Sequence, residues 1–479
     1  MSDLRSNLFI DGEWRDGAAG GSFPVVDPSD GSTITEFAIA TDDDCVAAVD
    51  AAARAFPEWS ATAPRVRSEI LRAAFDILTA EKEHFAEIMV RENGKAWADA
   101  LAEASYATEF FRWFAEEAVR VPGDYRTSPS GDKHIIVTHQ PIGVALLITP
   151  WNFPAAMATR KLAPALAAGC TTVLKPASET PLTAAYVVDV LHRAGVPKGV
   201  VNLVTPVPTA AAVERMMKHP AVRKVSFTGS TEVGRVLLKQ AADSVINSSM
   251  ELGGNAPLIV LPDADLQVAV EGAFLAKMRN GGSACTSANR LYVHTSLHDE
   301  FVDKFTAKLT AMNTGPGLDH ANTLGALVSV KERDKVAALV DTAVAEGATV
   351  VLGGASLPGE GAFYPPTLLT DVKHGSTINQ TEIFGPVTAV VRFDDQDDVV
   401  AMANDSIFGL IAYVFGPEGE ALDVASKIDA GMVGVNRGVI SDPAAPFGGM
   451  KQSGLGREGS SEGILEFLEA KYIATSVTR

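Results

Sequence analysis

From Val144 to about residue 445 the chain alternates short apolar runs with longer amphipathic or Ala-rich ones, and this alternation restricts the fold more than any other feature. VALLITP reads as a buried strand stopped by proline, PAAMATRKLAPALAAGC as an Ala-rich helix, and TTVLKP as another buried strand. A helix near 182–195, the strand VVNLVT, a helix near 208–218, the strand VRKVSFTG and a helix from about 231 continue the series. After Glu251 a second series begins with NAPLIVL, a helix near 266–280, RLYVH and a helix near 298–311. Strands that are apolar on both faces, separated by helices, predict parallel sheets with crossover helices, an α/β fold. At 479 residues the chain exceeds one ordinary core, so two to four domains are expected.

The flanks differ. Residues 7–40 hold short runs broken by Gly and Asp and read as small strands and turns. Thr41 with Asp44 three residues on marks a helix start, and residues 63–120 read as further helices. Residues 121–142 read as a hairpin, and LEFLEAKYIATSVTR at the tail ends in a strand-like run. Together they predict a small shared sheet whose free edge another subunit covers.

Forty basic against 59 acidic residues give a formal net charge of -19, which excludes a nucleic-acid partner. An anionic ligand therefore needs a local positive site. Three cysteines, Cys45, Cys170 and Cys285, form no disulfide framework and suit a reducing compartment. No run approaches the roughly 18 apolar residues that span a bilayer, and MSDLRSNLFIDGEW carries no apolar core of signal-peptide type. A cytoplasmic protein without a membrane partner is expected, and no metal site is expected.

Four segments carry candidate chemistry. In NGGSACTSANR two glycines let backbone approach a substrate beside Cys285, although a lone cysteine is more often a buried hydrophobe. In MELGGNAP, Glu251 precedes a Gly-Gly pair, where it is either a polar catalyst or an ordinary helix end. TPWNFP sets Asn152 among prolines that fix the turn, and its amide suits an oxyanion. FTGSTEVG, with Gly229 and Ser230, offers helix N-terminal amides to a phosphate. As an isolated motif it is weak.

PWNFP, LKPAS, FTGSTEVG, MELGGNAP, the Cys285 segment, EIFGP and PFGGMKQSGLGREG occur in an order that resembles the aldehyde dehydrogenase superfamily over essentially the whole chain. The resemblance implies two doubly wound parallel-sheet domains and a small β oligomerisation flap. Residues 1–120 and 143–250 would bind dinucleotide, 251–445 would be catalytic, and 121–142 with 460–479 would supply oligomerisation strands. It implies Cys285 as thiolate nucleophile, Glu251 as general base and Asn152 as oxyanion donor. Trp151, Lys175, Ser178, Gly229, Ser230, Leu252, Glu382 and Phe384 would contact the cofactor. WNFPAAMATRKLAPALAAGCT and APFGGMKQSGLGREGS are similar to succinate-semialdehyde dehydrogenases, which implies that Arg160, Arg279 and Ser441 hold a remote carboxylate. Ser178 stands where NAD-preferring relatives often carry Glu, so NADP is expected to be accepted and preferred, with NAD also used. A homodimer or homotetramer is expected.

The sequence departs from the family pattern twice. Ser283 replaces a common Gln two residues before the nucleophile, and Ser287 replaces a second Cys found two residues after it in some members. The latter predicts no reversible disulfide at the site. Glutarate semialdehyde is the rival substrate. A coenzyme A-acylating enzyme, disfavoured by Glu251, and a non-catalytic protein that kept the fold would also fit the fold-level pattern.

Overall fold

The structure is a computed structural model and describes residues 4–476. In its first large sheet five parallel strands lie in the order Val201–Leu203, Thr171–Lys175, Val144–Ile148, Val222–Thr228, Asn247–Glu251. The helices Pro154–Ala168, Pro181–Arg193, Thr209–Met217 and Thr231–Ser244 connect them. Successive strands step outward from Val144–Ile148, first to one side and then, at Val222–Thr228, to the other. Side chains alternate between two cores: Ala145, Leu147 and Leu174 enter one, Leu146, Ile148 and Val173 the other. That double burial is why these strands read as unbroken apolar runs.

The second large sheet runs Thr349–Leu352, Thr367–Thr370, Val387–Phe393, Ala288–His294, Ala256–Val260, Ile411–Phe415, Met432–Val435. All its pairings are parallel except the outermost, between Thr349–Leu352 and Thr367–Thr370. The tail strand Leu468–Ser476 pairs antiparallel with Lys133–Pro141 along its whole length, from Leu468 opposite Pro141 to Ser476 opposite Lys133. Lys133–Pro141 pairs in turn with Asp124–Thr127. The last three residues of the expected tail element lie outside the described residues.

Helices form at Asp42–Ala61, Pro64–Ala80, Lys82–Asn93 and Trp97–Glu117. Thr41 and Asp44 close a full capping box on the first of them. Three features leave no local mark in the sequence. Leu8–Ile10 joins the first sheet through Phe9 opposite Leu203. Asn247–Glu251, in the polar stretch NSSME, is a strand of that sheet. Gly454–Leu455 then returns from the far end of the chain and pairs with it, Gly454 opposite Glu251. No helix among the described residues is long and apolar enough to cross a membrane.

The return strand depends on Gly454, whose φ is +144° and whose Cα points at backbone: a Cβ there would sit 1.9 Å from the Met250 carbonyl oxygen. Gly454→Ala is expected to lower stability by about 1–3 kcal/mol, read as a lower urea midpoint, and to reduce kcat because Glu251 loses its neighbour.

Candidate active site

The first sheet reverses its winding between Val144–Ile148 and Val222–Thr228, and ligands of open α/β sheets bind at the carboxyl ends of strands at such a point. Trp151 and Asn152 follow the first of these strands, and Gly229 and Ser230 follow the second. The Gly229 N–H donates to the Glu251 carbonyl at 3.0 Å, and the Ser230 hydroxyl caps the next helix by accepting from the Val233 N–H at 3.4 Å. Across from them Glu382 and Phe384 arrive just before the Val387–Phe393 strand of the second sheet. Trp151 and Phe384 meet edge to face, ring centroids 5.2 Å apart. All six of these residues, with Leu252 and Cys285, wall a cavity of about 230 Å³.

Cys285 reaches the cavity on a loop with three successive left-handed residues, Asn280, Gly281 and Gly282, at φ +55°, +58° and +73°. The Glu251–Asn255 loop packs directly beneath it: a Cβ on Gly254 would lie 2.4 Å from the Cys285 carbonyl oxygen. The Gly254 N–H donates to Glu382 Oε1 at 3.2 Å, so one loop touches both the thiol's backbone and the Glu382 carboxyl. Asn152 Nδ2 donates to the Ser283 carbonyl at 3.2 Å. An amide nitrogen carries two protons, which leaves one for the cavity.

Burial dominates the electrostatics. It pushes the Cys285 thiol up to about 12, with Arg160 and Arg279 opposing and Glu382 and Glu251 assisting. It likewise pushes Glu382 to about 7. Glu251 is lifted well above the carboxylate range by burial and by Glu458, against the pull of Arg160 and Lys161. Neither Glu251 carboxylate oxygen has a hydrogen-bond partner among the described residues. Glu251 is absent from the cavity wall; its Oε1 lies against Gly448. Glu458 is the counter-ion of the region, 2.5 Å from Arg160 Nε and 2.5 Å from Lys161 Nζ.

The residues expected to hold a remote carboxylate are not part of that cavity wall, although Arg160 and Arg279 both act on the Cys285 thiol. Arg279 and Ser441 approach to 3.5 Å, and the Arg279 guanidinium covers Phe153 at 5.1 Å. Arg160 stacks on Phe447 at 4.1 Å and commits its Nε to Glu458. Tyr106 lies within the influence of both arginines. The remaining expected cofactor contacts do not line the 230 Å³ cavity. Ser178 borders a separate depression of about 430 Å³. Lys175 is buried, pushed down to about 8 by desolvation, and its one charged neighbour is Glu179.

The donor set suits a dinucleotide. It offers a helix N-terminus at Ser230, a buried cation at Lys175, an aromatic wall and a carboxyl at Glu382. Glu458 lies within the GREG wording, which assigns it no role by itself, and nothing local marks Lys161, Tyr106, Lys95 or Asn280. Lys161 meets Glu458 across 297 residues, and the Asn152 carbonyl that Lys95 and Asn280 share lies 57 and 128 residues from them, so no short-range pattern exposes these contacts. Among the described residues no group of three His, Cys, Asp or Glu is placed to hold a metal ion.

The chain belongs to the aldehyde dehydrogenase family, whose profile matches residues 14–473. Within it, the chain is 52% identical to a succinate-semialdehyde dehydrogenase of Paenarthrobacter nicotinovorans over 92% of this chain and 98% of the relative. It is 45% identical to a glutarate-semialdehyde dehydrogenase of Pseudomonas putida KT2440, over 99% and 98%. A crystal structure of an Escherichia coli NADP-dependent enzyme superposes with a TM-score of 0.97 at 46% identity, covering 99% of this chain and 98% of that one.

A thiol held this high reacts slowly at neutral pH. Alkylation of Cys285 by iodoacetamide in the free enzyme is expected to accelerate about tenfold per pH unit from 7 to 10 without a plateau. Arg160→Met should slow it further, since Arg160 is the main group lowering the thiol. A plateau near pH 7, followed by mass spectrometry, would contradict the buried-thiol state.

Proposed function

We propose that the protein oxidises succinate semialdehyde to succinate with NADP+ as the preferred acceptor and NAD+ as a second. The observation that supports the substrate is the pair of guanidiniums flanking Cys285, with Ser441 beside one of them. In a chain of net charge -19 they form a local positive site. A guanidinium fork matches a carboxylate bidentately. Arg279 uses its Nη1 on Ser441, and Arg160 pairs its Nε with Glu458 and turns its Nη2 to Met157 Sδ at 3.1 Å, a weak acceptor that a carboxylate would displace.

The residues act in sequence. Cys285 gives its proton to solvent, and its sulfur bonds to the aldehyde carbon as the carbonyl π pair moves onto oxygen. The free N–H of the Asn152 amide, with the Cys285 N–H, takes up the negative oxygen. The dinucleotide, when bound, would supply the acceptor for the hydride of this carbon, at the end of the cavity walled by Leu252 and Phe384. A thioester then remains on Cys285. Glu251 turns from its resting contact with Gly448 and takes a proton from water. The water oxygen bonds to the acyl carbon, the C–S bond breaks, and the acid departs. Burial and Glu458 raise Glu251, so it is a stronger base than a free carboxylate, and its deprotonated fraction grows as pH rises through its folded-state value. Ser230, Gly229, Trp151, Lys175 and Ser178 would hold the phosphates and adenosine ribose, Glu382 the nicotinamide ribose, and Leu252 and Phe384 the nicotinamide end.

Glutarate semialdehyde is the second reading, favoured by the similarity to the Pseudomonas enzyme, because one methylene in a pocket is worth only about 1–3 kcal/mol. Glu251, once turned towards the thioester, supports release of free acid over transfer to coenzyme A. The unpaired edge of Leu468–Ser476, with Tyr472 and Ile473 exposed, supports a homodimer or homotetramer. Cysteines without partners support a cytoplasmic setting.

Across C3–C6 aldehydes, kcat/KM should favour those with a terminal carboxylate. Arg279→Met should lower it on the order of 100-fold for succinate semialdehyde and only a few-fold for butanal. Equal losses on both would remove Arg279 from substrate recognition. Ser178→Glu should cut kcat/KM for NADP at least about tenfold while leaving or raising that for NAD. An unchanged ratio would exclude Ser178 from the ribose site.

A further inference from the structure

The oxyanion donor sits on the short loop between the strand Val144–Ile148 and the helix Pro154–Ala168. Its restraint comes from a segment some sixty residues earlier, between the helices Lys82–Asn93 and Trp97–Glu117. Lys95 Nζ donates to the Asn152 carbonyl oxygen at 2.9 Å. Asn93 Nδ2 donates to the Trp151 carbonyl oxygen at 2.9 Å. Lys95 is itself ion-paired with Glu103, and both side chains are almost wholly buried. Glu103 Oε1 accepts from the Ala155 and Ala156 N–H groups at 2.9 and 3.2 Å, at the start of the helix that follows Asn152. The backbone is thus gripped on both sides of Asn152. The grip extends to the nucleophile's loop, because Asn280 Nδ2 donates to the Asn152 carbonyl at 2.9 Å and to the Ser283 carbonyl at 3.0 Å.

We propose that Lys95, held by Glu103, and Asn93 are positioning residues that fix Asn152 for oxyanion binding. The inference rests on the reading of Asn152 as oxyanion donor. With its carbonyl pinned by Lys95 and Asn280, residue 152 has no freedom to rotate its Cα–Cβ direction. The side-chain amide then has one proton on the Ser283 carbonyl and the other aimed at the atom that becomes negative. The contacts are to backbone carbonyls, so neither Lys95 nor Asn93 touches substrate. A buried ammonium is well suited to this task, because it donates strongly to two partners at once and its compact head fits between two loops. A neutral side chain of similar length would leave Glu103 buried and unpaired and would release the turn.

The same segment reaches the cofactor side of the sheet. Glu92 accepts from the Leu182 and Thr183 N–H groups at 2.7 and 2.8 Å, at the start of the helix that follows Ser178. Three residues within a stretch of four, Glu92, Asn93 and Lys95, therefore anchor the turns after two adjacent strands. Displacement of Lys95 is expected to act on the chemical step, through Asn152, and not on dinucleotide affinity.

A double-mutant cycle tests this. Lys95→Gln is expected to lower kcat about 10- to 100-fold with KM for NADP within about twofold, and Lys95→Arg to recover most of that loss. Asn152→Ala should cost about 10²- to 10³-fold in kcat. In the Asn152→Ala background, Lys95→Gln should cost less than about twofold more. A further loss as large as in the native background would overturn the proposal while leaving the oxyanion reading intact. A wild-type kcat for Asn152→Ala would overturn both. If Lys95→Gln does not fold, as judged by its thermal transition, Asn93→Leu takes its place, since it removes a donor and strands no charge. Its loss of about three- to tenfold should likewise vanish beside Asn152→Ala. An unchanged kcat in Asn93→Leu, or a loss that persists beside Asn152→Ala, would overturn the proposal.

Discussion

One buried carboxylate holds the two halves of the site together. Glu458 stands at the far end of the chain and takes both Arg160 and Lys161, on the helix behind Asn152. Two cations against one anion would leave a surplus charge in a dry interior, and Glu251 sits within reach of all three. Buried pairs of this kind add little net stability. Removing one partner, however, leaves a charge stranded at a cost of about 3–5 kcal/mol. The cluster therefore fixes geometry more than it stabilises the fold. It ties the return strand Gly454–Leu455 to the first sheet and sets the proton affinity of the base beside it.

Burial disfavours, in the resting site, the negative charge that its chemistry will need. Burial holds the Cys285 thiol near 12 and lifts Glu382 to about 7. Glu251 is raised as well, and its carboxylate lies outside the cavity wall. A site in this state protects a nucleophile from adventitious reaction in the absence of its ligands. Arg160 and Arg279 are the groups already arranged to favour the thiolate, and the same two line the expected approach of an anionic substrate.

Much of this was legible in the sequence, and for physical reasons. Strands buried on both faces, such as Val144–Ile148 and Thr171–Lys175, leave an apolar signature that polar alternation cannot blur. Thr41 with Asp44 announces its helix because a capping box is local. Ser230 is visible because a strand, a turn and a helix start are adjacent in the chain. What escaped notice is non-local. Asn247–Glu251 is polar in composition and becomes a strand because Val222–Thr228 offers it an edge. Glu458, Lys95 and Asn280 gain meaning only from partners that the sequence keeps far apart. The commitment of Arg160 Nε to Glu458 belongs to the same class.

The return of residues 454–458 to the first sheet has a consequence for synthesis. Glu251 lacks its neighbouring strand, and Arg160 and Lys161 lack their counter-ion, until the segment around Glu458 has left the ribosome. Nearly three hundred residues separate Lys161 from Glu458. Contacts of such long range form late. The nascent chain can therefore carry a folded first sheet while Glu251 and Cys285 still lack their final surroundings. Catalytic competence then arrives in one step, after translation of the last elements, and a chain stalled short of them would carry no half-working enzyme.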